Sequence, residues 1–255
     1  MDTTKLDNYK RALKAHNYAT KTQRVYLKYF RDFFRSFLGE IENLTTPEIN
    51  SYIAEQEASP AKTIIISAAI KAFYELCLDR QVRTLKVIRK ESQPEILTEK
   101  EVLKFLSSCD SLKLTAIFST IYFLALRRQE VLKLQVKDIS ADGVTIRNSK
   151  GADRVILPPA DLVCLLRQYW KENRPENLFF DISESFLRAE FNRILVIAGI
   201  GRAATLHSLR HSRATHLYNL GKDIIGLKNF LGHKSLNTTL IYTKYGKTNQ
   251  QEAVK

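Results

Sequence analysis

The segment from Thr20 to Leu38 constrains the fold more than any other part of the sequence. Its large apolar side chains recur at spacings of three and four, as on the buried face of an α-helix. They are Tyr26, Leu27, Phe30, Phe33, Phe34 and Phe37. Helices are also predicted up to about His16, from Pro47 with Thr46 as N-cap, and from Ala61 to Asp79. The chain therefore begins with a small all-helical bundle.

The same segment carries a second, basic stripe on the face opposite the aromatic side chains. The basic stripe consists of Lys21, Arg24, Lys28, Arg31 and Arg35. The whole chain has 40 Lys and Arg against 27 Asp and Glu, a formal net charge of +13. A solvated helix face usually mixes both signs, whereas this stripe has only Asp32 nearby. We expect the basic stripe to contact the backbone of nucleic acid.

The pattern divides the 255 residues into two domains. Periodicity is lost between Thr84 and Leu97, which predicts a helical domain over 1–84, a linker over 85–96 and a second domain over 97–255. Thr98 and Glu101 form a capping-box pattern where the second domain begins. Its helices are interrupted by two β-rich pieces, VTIR and RVILP, joined by NSKGAD. The predicted fold is mainly α with a small β-sheet or hairpin, and Lys150 is at the tip or edge of the hairpin.

Composition also bears on the environment of the chain. The N-terminus lacks an apolar signal core, and the apolar run from Ile117 to Leu126 is too short to cross a bilayer, so a soluble, cytoplasmic protein is expected. Cys77, Cys109 and Cys164 have no ligand-like spacing and lie in apolar, helical-looking segments. We expect them to be reduced core residues.

Several separated polar groups could perform chemistry. His207 and Arg210 are three residues apart, so on a helix they share a face and could converge on one anion. Arg127 follows a long apolar run, so we expect it to project from a largely buried helix and to need a carboxylate or phosphate partner, which Glu130 could provide. The adjacent Arg128 is an equal candidate on residue chemistry alone. No paired acidic residues suggest a two-metal nuclease. The set suits metal-free phosphoryl transfer, with no cofactor.

The order of these motifs resembles the tyrosine recombinase or phage integrase family, near its Xer and phage-integrase branches. The resemblance rests on LHSLRH from Leu206, and on LGHKSLNTTLIY, in which Tyr242 lies nine residues beyond His233. The segment ALRRQE matches the family pattern GLR-x-x-E, which favours Arg127 over Arg128, with Ala125 in place of Gly. SKGADR matches the hairpin motif GKG-x-K-x-R without its initial Gly and second Lys. The implied catalytic set is Arg127, Lys150, His207, Arg210, His233 and Tyr242.

The resemblance implies a two-domain architecture, a helical core-binding domain plus a mixed α/β catalytic domain that clamp a DNA duplex. Tyr242 would attack the scissile phosphate to give a 3′-phosphotyrosine, and Arg127 and Arg210 would neutralise the developing charge. Lys150 would protonate the leaving oxygen, His207 would act as base and His233 would support the phosphate. The implied partners are double-stranded DNA with a specific recombination site and a homotetramer on two duplexes exchanging strands through a Holliday junction, with an accessory protein possible and no membrane.

Other interpretations remain open at the level of sequence. Tyr245 is a rival hydroxyl three residues from Tyr242, although the spacing from His233 favours Tyr242. A type IB topoisomerase-like activity would use similar chemistry and religate the same strand. A DNA-binding accessory factor with a decayed active site, or a helix-rich RNA-binding protein, would account for the charge. The thirteen residues after Tyr242 are polar, so a C-terminal segment that docks into a neighbouring protomer is not evident.

Overall fold

Two compact units make up the chain, Met1–Ser92 and Gln93–Lys255. The structure is a computed structural model and describes residues 3–38, 40–87, 94–147 and 153–246. The first unit is helical, and the second combines helices with a small antiparallel sheet. This agrees with the mainly α, two-domain fold predicted from the sequence.

The first unit contains four helices: α1 Thr3–Ala15, α2 Thr20–Ser36, α3 Thr46–Glu55 and α4 Pro60–Leu78. Aromatic side chains dominate its core. Phe30 of α2 stacks on Phe73 of α4 with ring centroids 4.3 Å apart, and both rings contact Tyr9 of α1. The buried hydroxyl of Tyr9 donates a hydrogen bond to the Ala69 carbonyl at 2.7 Å, so its polar end is satisfied.

The two predicted faces of α2 are confirmed. Phe30, Phe33 and Phe34 are buried in the helical core, whereas all five residues of the basic stripe are exposed. Among the described residues, no acidic side chain forms an ion pair with the stripe. Its charge therefore faces solvent.

Helix α3 begins one residue earlier than predicted. Thr45, not Thr46, is the N-cap, and its side chain exchanges hydrogen bonds with Glu48 in a capping box. Pro47 lies in the first turn, where its missing N–H costs nothing. Thr45 is the N-cap because the carboxylate of Glu48, three residues later, accepts a hydrogen bond from its backbone N–H.

The second unit contains eight α-helices among its described residues. They are α5 Glu99–Ser107, α6 Leu112–Phe123, α7 Arg128–Leu132, α8 Ala160–Asn173, α9 Glu184–Ile197, α10 Leu206–Asn219, α11 Ile224–Leu231 and α12 Asn237–Gly246. The predicted capping box at Thr98 is confirmed, with the Thr98 N–H donating to Glu101 at 2.8 Å. A large apolar core contains most of α6 and the inner faces of α5, α8 and α9.

The sheet has three antiparallel strands, β1 Ile139–Ser140, β2 Gly143–Ile146 and β3 Arg154–Ile156, in the order β1-β2-β3. Val144 pairs with Ile156, which confirms the hairpin. The two-residue strand β1 was not predicted, because it is too short to show a pattern. Lys150 lies outside the described residues.

One expectation about the cysteines is wrong. Cys77 and Cys109 are partly buried and free, but Cys164 is exposed. Helix α8 buries Leu162, Leu166 and Tyr169, and Cys164 lies off that stripe. An apolar-looking segment therefore still presents its thiol to solvent.

Within the described residues, no helix combines the length and apolar character that crossing a membrane would require.

Candidate active site

Arg127 lies at a break between two helices. Helix α6 ends at Phe123, and Ala125 adopts a left-handed conformation with φ of 46° before α7 begins after Arg127. The expectation that Arg127 projects from a largely buried helix is therefore wrong: it is the N-cap residue of α7, and its side chain is 32% exposed. The guanidinium donates to Glu130 at 2.7 Å and to the Gly232 carbonyl at 3.1 Å.

Arg210 occupies the centre of the site and is almost completely buried on α10. Its guanidinium donates to the carbonyl of Ala125, to the carbonyl of Leu231 at 2.7 Å and to His233 Nε2 at 3.1 Å. Burial, followed by the charge of Arg127, lowers the pKa of Arg210 to about 9, so it stays a cation at neutral pH. One side chain thus ties the end of α6 and the end of α11 to α10.

Glu130 is the buried carboxylate that holds these cations together. It forms a two-pronged ion pair with Arg154, and its Oε2 lies 3.7 Å from Arg210. Burial acts to raise the pKa of Glu130, but hydrogen bonds from Arg154 and Arg127 outweigh it and hold the pKa below its ordinary value. Three guanidinium groups share one carboxylate, which leaves a net positive cluster suited to an anion.

His233 follows α11 and bridges Arg210 to helix α12. Its Nε2 accepts from Arg210, because a guanidinium can only donate, so Nδ1 carries the proton and donates to Thr239 at 2.9 Å. Burial and the charges of Arg210 and Arg127 lower the pKa of His233 to about 3. The ring is neutral at physiological pH and fixed at both nitrogens.

Tyr242 lies on α12 and is almost fully buried. Its hydroxyl is 2.9 Å from Nδ1 of His211, the residue next to Arg210. Burial raises the pKa of Tyr242 to about 12, opposed by the charges of Arg210 and Arg127. The positive charges of Arg210 and Arg127 therefore favour the ionised form of the Tyr242 phenol. Tyr245 has none of these contacts among the described residues.

A cleft of roughly 990 Å³ opens beside this cluster. Among the described residues that line it, Glu130 is the one carboxylate, and many are basic: Arg127, Arg128, Lys133, Arg147, Arg188, His207, His233 and Lys234. His207 lies at its edge with part of its side chain exposed. The protein atoms around the rest of the ring displace water and, with the charge of Arg210, lower its pKa. Tyr242 is not among the lining residues and lies behind the wall. The cleft suits a polyanion.

The structure brings five of the six predicted residues together: Arg127, His207, Arg210, His233 and Tyr242. Lys150 lies outside the described residues. Arg128, the rival of Arg127, forms an ion pair with Glu184 at 2.9 Å. Among the described residues, no group of three or more His, Cys, Asp or Glu side chains could hold a metal ion.

Sequence reasoning missed three contributors, Arg154, His211 and Thr239. Arg154 was noted only as the last residue of the SKGADR motif and the first of a β-rich piece, with no role in the site, and Thr239 gave no signal. His211 could have been found, because it lies four residues after His207 and such residues are neighbours on one helix face. The two rings are in fact 5.0 Å apart.

Family models match both units of the chain. The model of the phage integrase family matches residues 95–249, and that of the phage integrase N-terminal SAM-like domain matches residues 6–84. Tyrosine recombinase XerD of Xanthomonas axonopodis pv. citri is 31% identical over 228 residues, which cover 76% of this chain and 75% of the relative.

Two solved structures share the fold. The XerH site-specific recombinase bound to palindromic difH substrate superimposes with a TM-score of 0.76 at 23% identity, covering 98% of this chain and 84% of that one. A lambda integrase tetramer bound to a Holliday junction gives a TM-score of 0.73 at 20% identity, with 91% and 77% covered. The phage integrase model spans more than half of the chain. The chain therefore belongs to the phage integrase family, that is, to the tyrosine recombinases.

Proposed function

We propose that the chain cuts and rejoins DNA at a specific site, with Tyr242 as the nucleophile. The observation that carries this proposal is the placement of a buried tyrosine hydroxyl within one cluster with Arg210 and Arg127. These arginines lie 32 and 115 residues away along the chain (242 − 210 and 242 − 127), so only the fold unites them. A nucleophile beside fixed cations is what attack on a phosphodiester requires.

The covalent step follows from the chemistry of the cluster. The Tyr242 oxygen forms a bond to the scissile phosphorus, and the bond from phosphorus to the 5′-oxygen breaks. The products are a 3′-phosphotyrosine and a 5′-hydroxyl that takes up a proton, for which Lys150 is the proposed donor. His207, at the edge of the cleft, is the proposed acceptor of the phenol proton. Attack by the 5′-hydroxyl of a second strand reverses the step and completes the exchange.

Arg127 and Arg210 stabilise the charge that develops on the phosphoryl oxygens. Their carbonyl and carboxylate partners fix both guanidinium groups before DNA arrives, so little reorganisation is needed during the reaction. His233 is positioned by Arg210 and Thr239 to support the same phosphate. Since each group is held by at least one buried partner, the site is preorganised for a dianionic transition state.

DNA is bound by two basic surfaces in this proposal. The cleft of the second unit receives the scissile strand, and the basic stripe on α2 of the first unit contacts the duplex backbone. We assign residues 1–84 to DNA clamping, 85–96 to the linker and 97–255 to catalysis. By analogy with the lambda integrase tetramer on a Holliday junction, four protomers act on two duplexes.

Covalent capture tests the proposal. Wild type, Tyr242→Phe and Tyr245→Phe are incubated with a pool of nicked duplexes that includes the DNA flanking the gene. Adducts that survive denaturation are then recovered and sequenced. We expect adducts from wild type and from Tyr245→Phe, and none from Tyr242→Phe. DNA binding without adducts from any of the three proteins would contradict the proposal and favour an accessory DNA-binding role.

A second assay separates recombination from topoisomerase-like relaxation. Plasmids that carry two copies of the captured sequence are incubated with wild type, and their products are separated by size and topology. We expect products with exchanged flanking sequences. Relaxed plasmid without recombinant product would contradict strand exchange.

A further inference from the structure

The Tyr242 hydroxyl has a partner that the sequence motifs did not assign. His211 Nδ1 lies 2.9 Å from the hydroxyl oxygen, and the two rings lie with centroids 5.7 Å apart at an angle of 46°. Both side chains are shielded from solvent, since Tyr242 is buried and His211 is partly buried. This is the contact that orients the hydroxyl in the structure.

We propose that His211 is the positioning residue for the nucleophile: its Nδ1 accepts the hydrogen of the Tyr242 hydroxyl and leaves the oxygen lone pairs free for phosphorus. This rests on the proposed role of Tyr242. His211 follows Arg210 directly in α10. Because the two residues are adjacent in α10, the same helix positions the Arg210 guanidinium for the phosphate and His211 for the attacking oxygen of Tyr242.

Burial and the charges around His211 keep its ring neutral, which leaves Nδ1 able to accept a hydrogen bond. The groups that face it are His207 and Arg210 on its own helix, Tyr242 on α12 and His233 after α11. Burial, then His207 and Arg210, lowers the pKa of His211 to about 4, so its ring is neutral. Burial raises the pKa of Tyr242 to about 12, so the phenol keeps its proton and can donate it.

In the free protein, pKa values of about 12 for Tyr242 and about 4 for His211 keep the proton on the phenol. His211 therefore acts as the acceptor of a hydrogen bond that aligns the hydroxyl. During attack the proton passes to the proposed base, His207, whose ring lies 5.0 Å from that of His211. Misplacing a reacting atom by about 1 Å can cost roughly a hundredfold in rate.

Helix α10 supplies a matched control. His216 lies five residues after His211 and makes the same kind of contact, with its Nδ1 2.8 Å from the hydroxyl of Tyr122. This second pair is buried and belongs to the core side of the helix. A change at His216 perturbs the helix through the same chemistry but leaves Tyr242 untouched.

The test measures the rate of covalent adduct formation on nicked duplexes captured with wild type. We compare His211→Phe, which keeps a ring but has no acceptor, with His211→Asn, whose Oδ1 can take the place of Nδ1. His216→Phe is the control, and Trp170 fluorescence and DNA affinity are measured for each variant. We expect adduct formation to fall roughly 10- to 100-fold in His211→Phe. His211→Asn should stay within about threefold of wild type, as should His216→Phe.

Unchanged cleavage in His211→Phe, on sequences that wild type cleaves, would overturn the proposal and leave the role of Tyr242 intact. If His211→Phe, His211→Asn and His216→Phe all lost adduct formation to the same extent, His211 would have only a structural role. Nitrogen NMR of the DNA-free protein gives an independent check. Nδ1 of His211 should be unprotonated, and a protonated Nδ1 would contradict the assigned hydrogen bond.

Discussion

Glu130 and Arg154 form a two-pronged ion pair inside the second unit, with the two guanidinium nitrogens 3.1 and 3.0 Å from the two carboxylate oxygens. Both side chains are less than a tenth exposed. The pair supports a network that also includes Arg127 and Arg210. The site therefore depends on a buried carboxylate that does not itself carry out the proposed chemistry.

Replacing Glu130 by Gln should destabilise the second unit strongly. The change keeps the shape but leaves buried guanidinium groups without their counter-charge, which costs about 3–5 kcal/mol. Unfolding in urea, followed by the fluorescence of the single tryptophan, Trp170 on α8, measures the loss. The control is Glu190→Gln, which breaks a more exposed pair with Arg193 and should cost less than about 1 kcal/mol. Equal costs in both variants would contradict the network.

Stability of the second unit should fall as the pH is lowered from about 6.5 to about 4. The folded pKa values of His233 and His211 are about 3 and about 4, so the folded state stays unprotonated while the unfolded state binds protons below its ordinary histidine pKa. Each histidine then contributes a slope of at most about 1.4 kcal/mol per pH unit. Urea unfolding of wild type and His233→Gln across this range checks it. The free energy of unfolding should change less steeply with pH in the variant than in wild type. Identical slopes would contradict the lowered pKa of His233.

Gly232→Ala should both strain the backbone and disturb the arginine network. Gly232 has φ of 63°, and an added Cβ would lie 2.9 Å from Nη1 of Arg154. The left-handed conformation alone costs about 1–2 kcal/mol for a residue with a side chain. Gly201→Ala is the control, because its Cβ would meet nothing within 4 Å and it is exposed. A loss of stability in both variants, or in neither, would contradict the close approach.

The basic stripe should set much of the salt dependence of DNA binding. Changing Lys28 or Arg31 to Gln removes one exposed positive charge and should lower the slope of log affinity against log salt by about 0.9 for each DNA phosphate that is no longer neutralised. Fluorescence anisotropy with a labelled duplex at several salt concentrations measures it. Lys71→Gln on α4 is the matched control, since Lys71 pairs with Glu75 at 3.5 Å. A drop in slope that is equal for all three variants would show only the effect of net charge.

The helices of the first unit could be predicted because aromatic periodicity decides them directly. The break at Arg127 could not, since Ala125 gives no sign of the left-handed conformation that a glycine would have suggested. The interactions of Glu130 with Arg154 and Arg210 could not be predicted either. These arginines lie 24 and 80 residues after Glu130 in the sequence (154 − 130 and 210 − 130), and only the fold brings them together. The assignment of Lys150 stays a prediction.

The way Arg210 is bound has an evolutionary consequence. Its guanidinium serves the proposed chemistry and also fastens the carbonyls of Ala125 and Leu231. Replacing this arginine would remove a group of the proposed chemistry and would also leave these two backbone carbonyls without their hydrogen bonds. Selection against unstable chains therefore also acts against loss of this arginine, whereas loss of the Tyr242 hydroxyl breaks none of these contacts.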